Sequence, residues 1–126
     1  MDFNSLIYND FFSNNSNESE NPANHTSSLL QYNLLAADVA GSGIIIDNRN
    51  LYRGGLQLGP NGKIYRALSA TYNVGLSYLG IINNPDNLGL SCNYFHNGIN
   101  IAPNLSAQGL PPFIASFFNT QIDIIK

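Results

Sequence analysis

The sequence is poor in charged residues, in basic residues and in cysteine, and it contains no tryptophan. Asp, Glu, Lys and Arg make up 10% of the 126 residues, less than half of the roughly 25% found in typical soluble domains. Only five residues are Lys or Arg and the net charge is −3, which argues against the clustered basic face of a nucleic-acid-binding protein. The single cysteine, Cys92, excludes an internal disulfide framework and a zinc site built from several cysteines.

Long apolar runs and a secretion signal are also missing from the sequence. No run approaches the roughly 18 apolar residues that a membrane helix needs, so we predict no membrane span. The first seven residues, MDFNSLI, have neither the positive start nor the apolar stretch of a signal peptide. We therefore expect either a protein that stays inside the cell or a piece of a longer precursor.

The sequence instead contains many uncharged polar and aromatic residues. Asparagine occurs 20 times and Tyr and Phe seven times each, while 44% of the residues are hydrophobic. The length suits one domain. Residues 1–12 carry enough apolar side chains to pack, and their spacing fits a short helix or a strand equally well. Residues 13–28 contain no large apolar side chain, so we predict a flexible Asn/Ser-rich loop there, followed by one folded unit over 29–126.

Short β segments separated by turn residues are the pattern after residue 28. The predicted strands are Leu29–Leu35, Gly43–Asp47, Leu51–Leu58, Lys63–Leu68, Leu76–Ile82, Gly98–Ala102 and Phe113–Phe118. The connections are too short for parallel crossovers, which indicates an all-β, antiparallel fold. A β-sandwich and a piece of a β-propeller both fit this pattern.

One turn has a clear physical mechanism. Pro60 presets its own φ, and Asn61 and Gly62 tolerate positive φ, so the residues Gly59, Pro60, Asn61 and Gly62 are predicted to close a hairpin. The apolar residues on either side of this turn and in the later strand are expected to fill the core. They are Leu56, Leu58, Ile64, Ile81 and Ile82.

Three stretches resemble sequence motifs of β-propeller regions in large surface proteins of Bacteroidetes. Residues 55–65 (GLQLGPNGKIY) resemble the strand–turn–strand that opens a blade. Residues 79–94 (LGIINNPDNLGLSCNY) resemble the following segment, and residues 109–118 (GLPPFIASFF) resemble a closing motif. The order and spacing are similar to proteins exported by the type IX secretion system, in which PKD or other Ig-like repeats and a gliding motility-associated sorting domain follow the propeller.

The resemblance implies a fragment of about two blades, because a blade takes roughly 40–45 residues and a propeller needs four to eight of them. Two departures from the motifs affect the expected surface. Asn61 replaces the Asp that is usual in the turn, and Arg66 stands where an apolar or small residue is common. Arg66 therefore suggests a partly exposed strand.

The residues with possible chemistry give no catalytic or metal site. His25 lies in the predicted loop and is expected to be solvated. Cys92 and His96 would lie about 13 Å apart in a straight strand, too far to share a metal. Ser42 lacks the flanking glycines of a nucleophile elbow. Asp86, among several asparagines, could offer oxygens to calcium, but its sequence is also that of an ordinary turn.

Four of the five basic residues fall within 18 positions, between Arg49 and Arg66, with tyrosines between them. These basic residues can simply face solvent on the outer side of strands, with no ligand. The tyrosines can be half-buried strand residues, since strands favour bulky amphipathic side chains. The alternative is a surface for an acidic polysaccharide or phosphate, for which the candidate residues are Arg53, Tyr65 and Arg66.

The resemblance implies a non-enzymatic, secreted or cell-surface module that acts in adhesion, gliding or surface recognition. No cofactor is expected. The expected partners are the rest of a larger surface protein, a second copy joined through open blade edges, or a glycan. Two alternatives stay open: a fragment of a propeller enzyme or glycan-processing protein with its catalytic residues elsewhere, and a small self-associating β protein.

Overall fold

The computed structural model describes residues 4–107, which form an all-β structure. The strands in this range are β1 (Ser5–Ser13), β2 (His25–Asn33), β3 (Ile44–Arg49), β4 (Leu56–Leu58), β5 (Ile64–Arg66), β6 (Ser69–Thr71), β7 (Val74–Gly75), β8 (Tyr78–Ile82) and β9 (Tyr94–Asn100). Short 3-10 helices lie at Pro22–Asn24, Ala40–Ser42 and Gly89–Cys92. The prediction of an all-β fold is confirmed.

The strands form two antiparallel meanders and one small hairpin. The first sheet has the order β1-β2-β3 and the second has the order β4-β5-β8-β9. The hairpin β6-β7 is inserted between β5 and β8. The antiparallel pairing follows from the short connections, and β5 pairs with β8 across the inserted hairpin. Residues 4–107 include no helix with the length and hydropathy of a membrane span.

The two meanders pack face to face around a shared apolar cluster. Its buried members are Leu29, Ile64, Ile82 and Cys92, and partly buried Ile7, Ile46, Leu56 and Tyr94 pack against them. Strands of both sheets therefore contribute to one core, in which each fully buried Leu or Ile stabilises the fold by about 1.5–3 kcal/mol. The outer edges of the first sheet, β1 and β3, lie beside two different openings between the layers.

The N-terminal region is more regular than the sequence suggests. Residues 5–13 form a strand rather than a helix, paired along its whole length with β2. The prediction of a loop over residues 13–28 is wrong at its end, because β2 begins at His25 and the residue pair Ser13–His25 closes the β1–β2 ladder. Pairing with β1 satisfies the backbone hydrogen-bonding groups of residues 25–28. The polar side chains of this segment gave no sign of that pairing.

The inward face of β2 is largely polar. His25, Ser27, Leu29 and Gln31 are fully buried, whereas Leu30 and the tyrosine two residues later lie on the outward face. Gln31 is satisfied there, because its amide donates to the carbonyls of residues 85 and 87 and accepts from the backbone of residue 89. Buried polar side chains are tolerated when they are bonded in this way.

A β-bulge in β3 decides which residues face the core. The pair Leu30–Ile45 is followed by Leu29–Asp47, so Ile46 is the extra residue in the ladder. A one-residue shift moves every later side chain to the other face of the strand. Asp47 and Arg49 therefore lie opposite the buried residues of β2 instead of facing outward.

The predicted turn connects β4 and β5, which pair antiparallel from Leu58–Ile64 onward. The Gly59 amide donates to the Lys63 carbonyl at 2.8 Å, and Gly62 has a φ of +79°. The prediction that Leu58 lies in the core is wrong, because 48% of this residue is exposed. The predicted strand Phe113–Phe118 and the motif at residues 109–118 lie outside the described residues.

Candidate ligand-binding cleft

A cleft of about 510 Å³ opens along the edge of β1, between this strand and the connection from β3 to β4. It is lined by Tyr8, Asn9, Asp10, Phe11, Arg53, Gly54 and Gly55. Arg53 is the one predicted ligand-surface residue that lies there. Its side chain is exposed at the mouth of the cleft.

Aromatic rings hold the Arg53 side chain. Its guanidinium carbon lies 5.2 Å from the ring centroid of Tyr52 and 5.9 Å from that of Phe11. The two rings meet edge to face at 4.9 Å, and the Tyr52 ring also meets the buried His25 ring at 5.0 Å. Stacking on aromatic faces restricts a guanidinium without removing its charge from solvent. The cation is therefore positioned in advance at the cleft.

The backbone at Arg53 is also fixed. Arg53 has a φ of +46°, a left-handed conformation that costs a non-glycine residue about 1–2 kcal/mol. The Ser27 hydroxyl donates to the Arg53 carbonyl at 2.8 Å, which anchors this conformation to β2. Gly54 follows, and a side chain there would lie 3.0 Å from the amide nitrogen of Asn9. Strained backbone of this kind occurs preferentially at ligand sites.

Ser27 links the cleft to the interior between the two sheets. Its hydroxyl oxygen accepts from the Asn9 amide at 2.9 Å and from Arg66 Nη2 at 2.8 Å while it donates to Arg53. A hydroxyl has two acceptor positions and one donor, so this arrangement uses its full capacity. Asn9, Arg53 and Arg66 are thereby held by one buried atom.

Arg66 and Tyr65, the other two predicted ligand-surface residues, are not at the surface. Arg66 is 0% exposed and Tyr65 is 1% exposed. Arg66 Nη1 donates to an Asp47 carboxylate oxygen at 2.8 Å and to the Tyr94 hydroxyl at 3.0 Å. The expectation of a partly exposed strand at Arg66 is wrong, because a carboxylate from the opposite sheet compensates its charge inside the protein.

Tyr65 packs against the β4–β5 turn. Its hydroxyl accepts from the Asn61 amide at 2.8 Å, and a side chain at Gly59 would collide with its ring. Burial raises the pKa of Tyr65, although the bond from Asn61 opposes that shift. These contacts tie the turn residues to the core and leave Tyr65 no access to a ligand.

His25 was expected in solvent and is fully buried. Its Nε2 lies 2.9 Å from the Ser19 carbonyl, so this nitrogen carries the proton and donates. The aromatic residues around it give the reason for burial, since Phe11 and Tyr52 surround its ring. No local sequence signal distinguishes this histidine from one in a polar loop.

The remaining candidates form no metal site within the described residues. No group of three or more His, Cys, Asp or Glu side chains that could hold a metal occurs between residues 4 and 107. Asp86 lies in the turn after β8, where the Asn87 amide donates to the Asn84 carbonyl at 3.0 Å. Burial raises the pKa of the Cys92 thiol, which is fully enclosed in the core.

Comparison with known proteins gives no relative for this chain. No protein-family model, curated protein or solved structure matches it.

Proposed function

We propose that this chain is a non-enzymatic recognition module that binds an acidic carbohydrate in the cleft at Arg53. The observation that supports the proposal is the fixed, exposed Arg53 guanidinium held against two aromatic rings beside an open cleft. A sugar ring presents an apolar face and hydroxyl groups, and an acidic sugar adds a carboxylate or sulfate. The cleft offers a matching group for each of these.

Each side of the cleft has a separate role in this proposal. Tyr8, 51% exposed, lies at the rim of the cleft, where its ring on the outward face of β1 can stack on a sugar that extends past the strand edge. Asn9 and Asp10 supply amide and carboxylate groups for sugar hydroxyls. Arg53 pairs with the acidic group, for which a guanidinium provides two parallel donors. Because its conformation is already set, binding loses little side-chain entropy.

The proposed setting is a blade-like part of a larger secreted or cell-surface protein. Two antiparallel meanders packed face to face are compatible with neighbouring propeller blades, and they are equally compatible with a sandwich. The surface location and the type IX export rest on the resemblance of the three sequence motifs. Adhesion or gliding would then use the cleft to hold a glycan of the surroundings.

Isothermal titration calorimetry with a short oligogalacturonate, a sulfated oligosaccharide and a neutral oligosaccharide of equal length tests the proposal. We expect binding of an acidic oligosaccharide that weakens as salt increases. Arg53→Ala should weaken it roughly 10- to 150-fold, as expected for loss of a charged hydrogen bond worth about 1.5–3 kcal/mol. Lys63→Ala is the charge-matched control, because Lys63 lies outside the cleft lining. No binding of any acidic oligosaccharide, or equal weakening by both variants, would contradict the proposal.

A second candidate function, self-association, is favoured by the outward face of the first sheet. Tyr8, Leu30 and Ile45 form a row across the three strands, with Leu6 and Phe12 on the same face of β1. Phe12 is 62% exposed and Ile45 is 61% exposed. An exposed apolar face of this kind is typical of an association surface. Light scattering after size exclusion should show a dimer that Phe12→Ser weakens, and a monomer at high concentration would reject this candidate.

A further inference from the structure

A second cavity, of about 230 Å³, lies at the opposite edge of the two layers, between β3 and β9. Its lining includes Asp47, Arg49, Cys92, Tyr94 and His96. These residues come from both sheets, and none of them lines the cleft at Arg53. The cavity has room for a small ion with several waters, each of which takes up about 30 Å³.

Two β-bulges place the polar side chains in this cavity. The bulge at Ile46 turns Asp47 and Arg49 inward. In β9, the pairs Leu79–Ile99 and Ile81–Phe95 leave two extra residues in the strand, and His96 lies in this irregular stretch. Bulges commonly redirect a side chain next to a functional site. Both strands that border the cavity have such an irregularity at the residues that face it.

Among residues 4–107, the charges around the cavity do not balance. Asp47 is the carboxylate, and the two guanidinium groups of Arg49 and Arg66 lie within 2.8 Å of its oxygens. Burial by itself raises the pKa of Asp47, but hydrogen bonds and charge from the two arginines outweigh this effect and lower it. One carboxylate thus faces two cations, and one positive charge in excess remains beside the opening.

His96 does not add to this charge at neutral pH. Burial, followed by the positive charge of Arg49, lowers the pKa of His96 to about 4; Arg66 acts in the same direction and Asp47 opposes it. The Tyr94 hydroxyl accepts from Arg66 and lies 3.0 Å from His96 Nδ1. In the tautomer in which this hydroxyl donates to Nδ1, the proton of the neutral ring is on Nε2, and this nitrogen is a donor.

We propose that this cavity binds a small oxyanion, a phosphate or a carboxylate, between the Arg49 guanidinium and His96 Nε2. Arg49 uses Nε and Nη2 for Asp47 and its side chain is 42% exposed, which leaves Nη1 to donate to the anion. The anion would neutralise the excess charge that Arg66 introduces into the interior. The site is independent of the proposed carbohydrate cleft.

Nuclear magnetic resonance of the imidazole and guanidinium nitrogens tests the proposal on the full chain. Sodium phosphate and sodium acetate are added separately, with sodium chloride holding the ionic strength constant. We expect saturable shifts of His96 Nε2 and Arg49 Nε with at least one of the two anions, and the comparison tells which anion is preferred. The pKa of His96 should rise in that anion, because a bound negative charge favours the imidazolium.

Arg49→Gln should weaken binding at least tenfold, Arg49→Lys should weaken it less, and Arg53→Gln in the other cleft should leave it unchanged. Thermal unfolding of each variant establishes that the fold is retained. The change in the His96 pKa on anion binding is measured in the unaltered protein, so this part of the test does not depend on any variant. Shifts that grow linearly without saturation, no rise in the His96 pKa, or equal loss in the Arg49→Gln and Arg53→Gln variants would overturn the proposal. Arg49→Gln and Arg53→Ala affect different sites. Failure of the oxyanion proposal would therefore leave the carbohydrate proposal untouched.

Discussion

Arg66 on β5 and Asp47 on β3 form a salt bridge of 2.8 Å that joins the two sheets through the interior. Arg66 is completely buried and the Asp47 side chain is 10% exposed. Removing Asp47 would leave the fully buried Arg66 guanidinium without a carboxylate, whereas removing Arg66 leaves Asp47 paired with the more exposed Arg49. This pair therefore makes the assembly of the two layers sensitive to single substitutions.

Arg66→Met should lower the free energy of unfolding by about 1–3 kcal/mol, because Asp47, Tyr94 and Ser27 lose a buried hydrogen-bond donor while Asp47 keeps its bond to Arg49. The double variant Arg66→Met/Asp47→Leu should lose less than the single variant, because the Asp47 carboxylate is then also removed from the interior and the Arg49 guanidinium left behind is exposed to solvent. Arg49→Gln is the matched control, since Arg49 binds the same carboxylate from a more exposed position and should cost about 1 kcal/mol or less. Urea unfolding measures all three. An Arg66→Met cost no larger than that of Arg49→Gln would contradict the prediction.

Stability should fall as the pH is lowered from about 6.5 to about 4 because of His96. Its folded pKa, about 4, is below its ordinary value of 6.5. Between these values the unfolded chain binds more protons, so acid favours unfolding, whereas outside this range His96 gives no slope. The loss is about 1–2 kcal/mol after allowance for solvent screening.

His96→Gln should remove this slope when urea midpoints are compared with those of the unaltered protein across the same range. The lowered pKa of Asp47 adds a loss that begins only below its ordinary value of 3.8 and grows as the pH falls through the folded value. That loss should persist in the variant. Parallel pH curves for the two proteins between pH 4 and 6.5 would show that His96 is not responsible.

Ser27→Ala should lower stability by about 1–3 kcal/mol, because Arg66 and Asn9 lose an acceptor and the Arg53 carbonyl loses a donor. It should also weaken carbohydrate binding at the Arg53 cleft. Ser28→Ala is the natural control, since Ser28 is the next residue on the outward face of β2. Urea unfolding and calorimetry with the acidic oligosaccharide separate the two effects. Equal behaviour of the two variants would contradict the role given to Ser27.

Gly62→Ala should destabilise the β4–β5 hairpin by about 1–2 kcal/mol, because its φ of +79° disfavours a side chain. An added carbon there meets nothing within 4 Å, so the cost is conformational rather than steric. Gly62→Asn should cost less, since Asn tolerates this conformation better. Thermal unfolding compares the two, and a larger loss for Asn would contradict this explanation.

The sequence by itself determined the all-β class, the antiparallel connections and the hairpin at residues 59–62. These features depend on local physics: short polar connections forbid crossovers, and Pro60, Asn61 and Gly62 restrict their own backbone. The same local reasoning placed Arg53 among the candidate binding residues. It failed for Arg66, Tyr65 and His25, which are buried because of partners far away in the chain.

Only the tertiary structure decided which side chains face the interior. In β2, Leu30 faces outward, whereas hydrogen bonds to distant parts of the chain let Gln31 and Ser27 occupy the interior. The bulge at Ile46 then exchanged the faces of β3, and Asp47 became the partner of Arg66. Such choices depend on register and on cross-sheet pairing, and one extra residue in a ladder reverses the side that a pattern of alternation predicts.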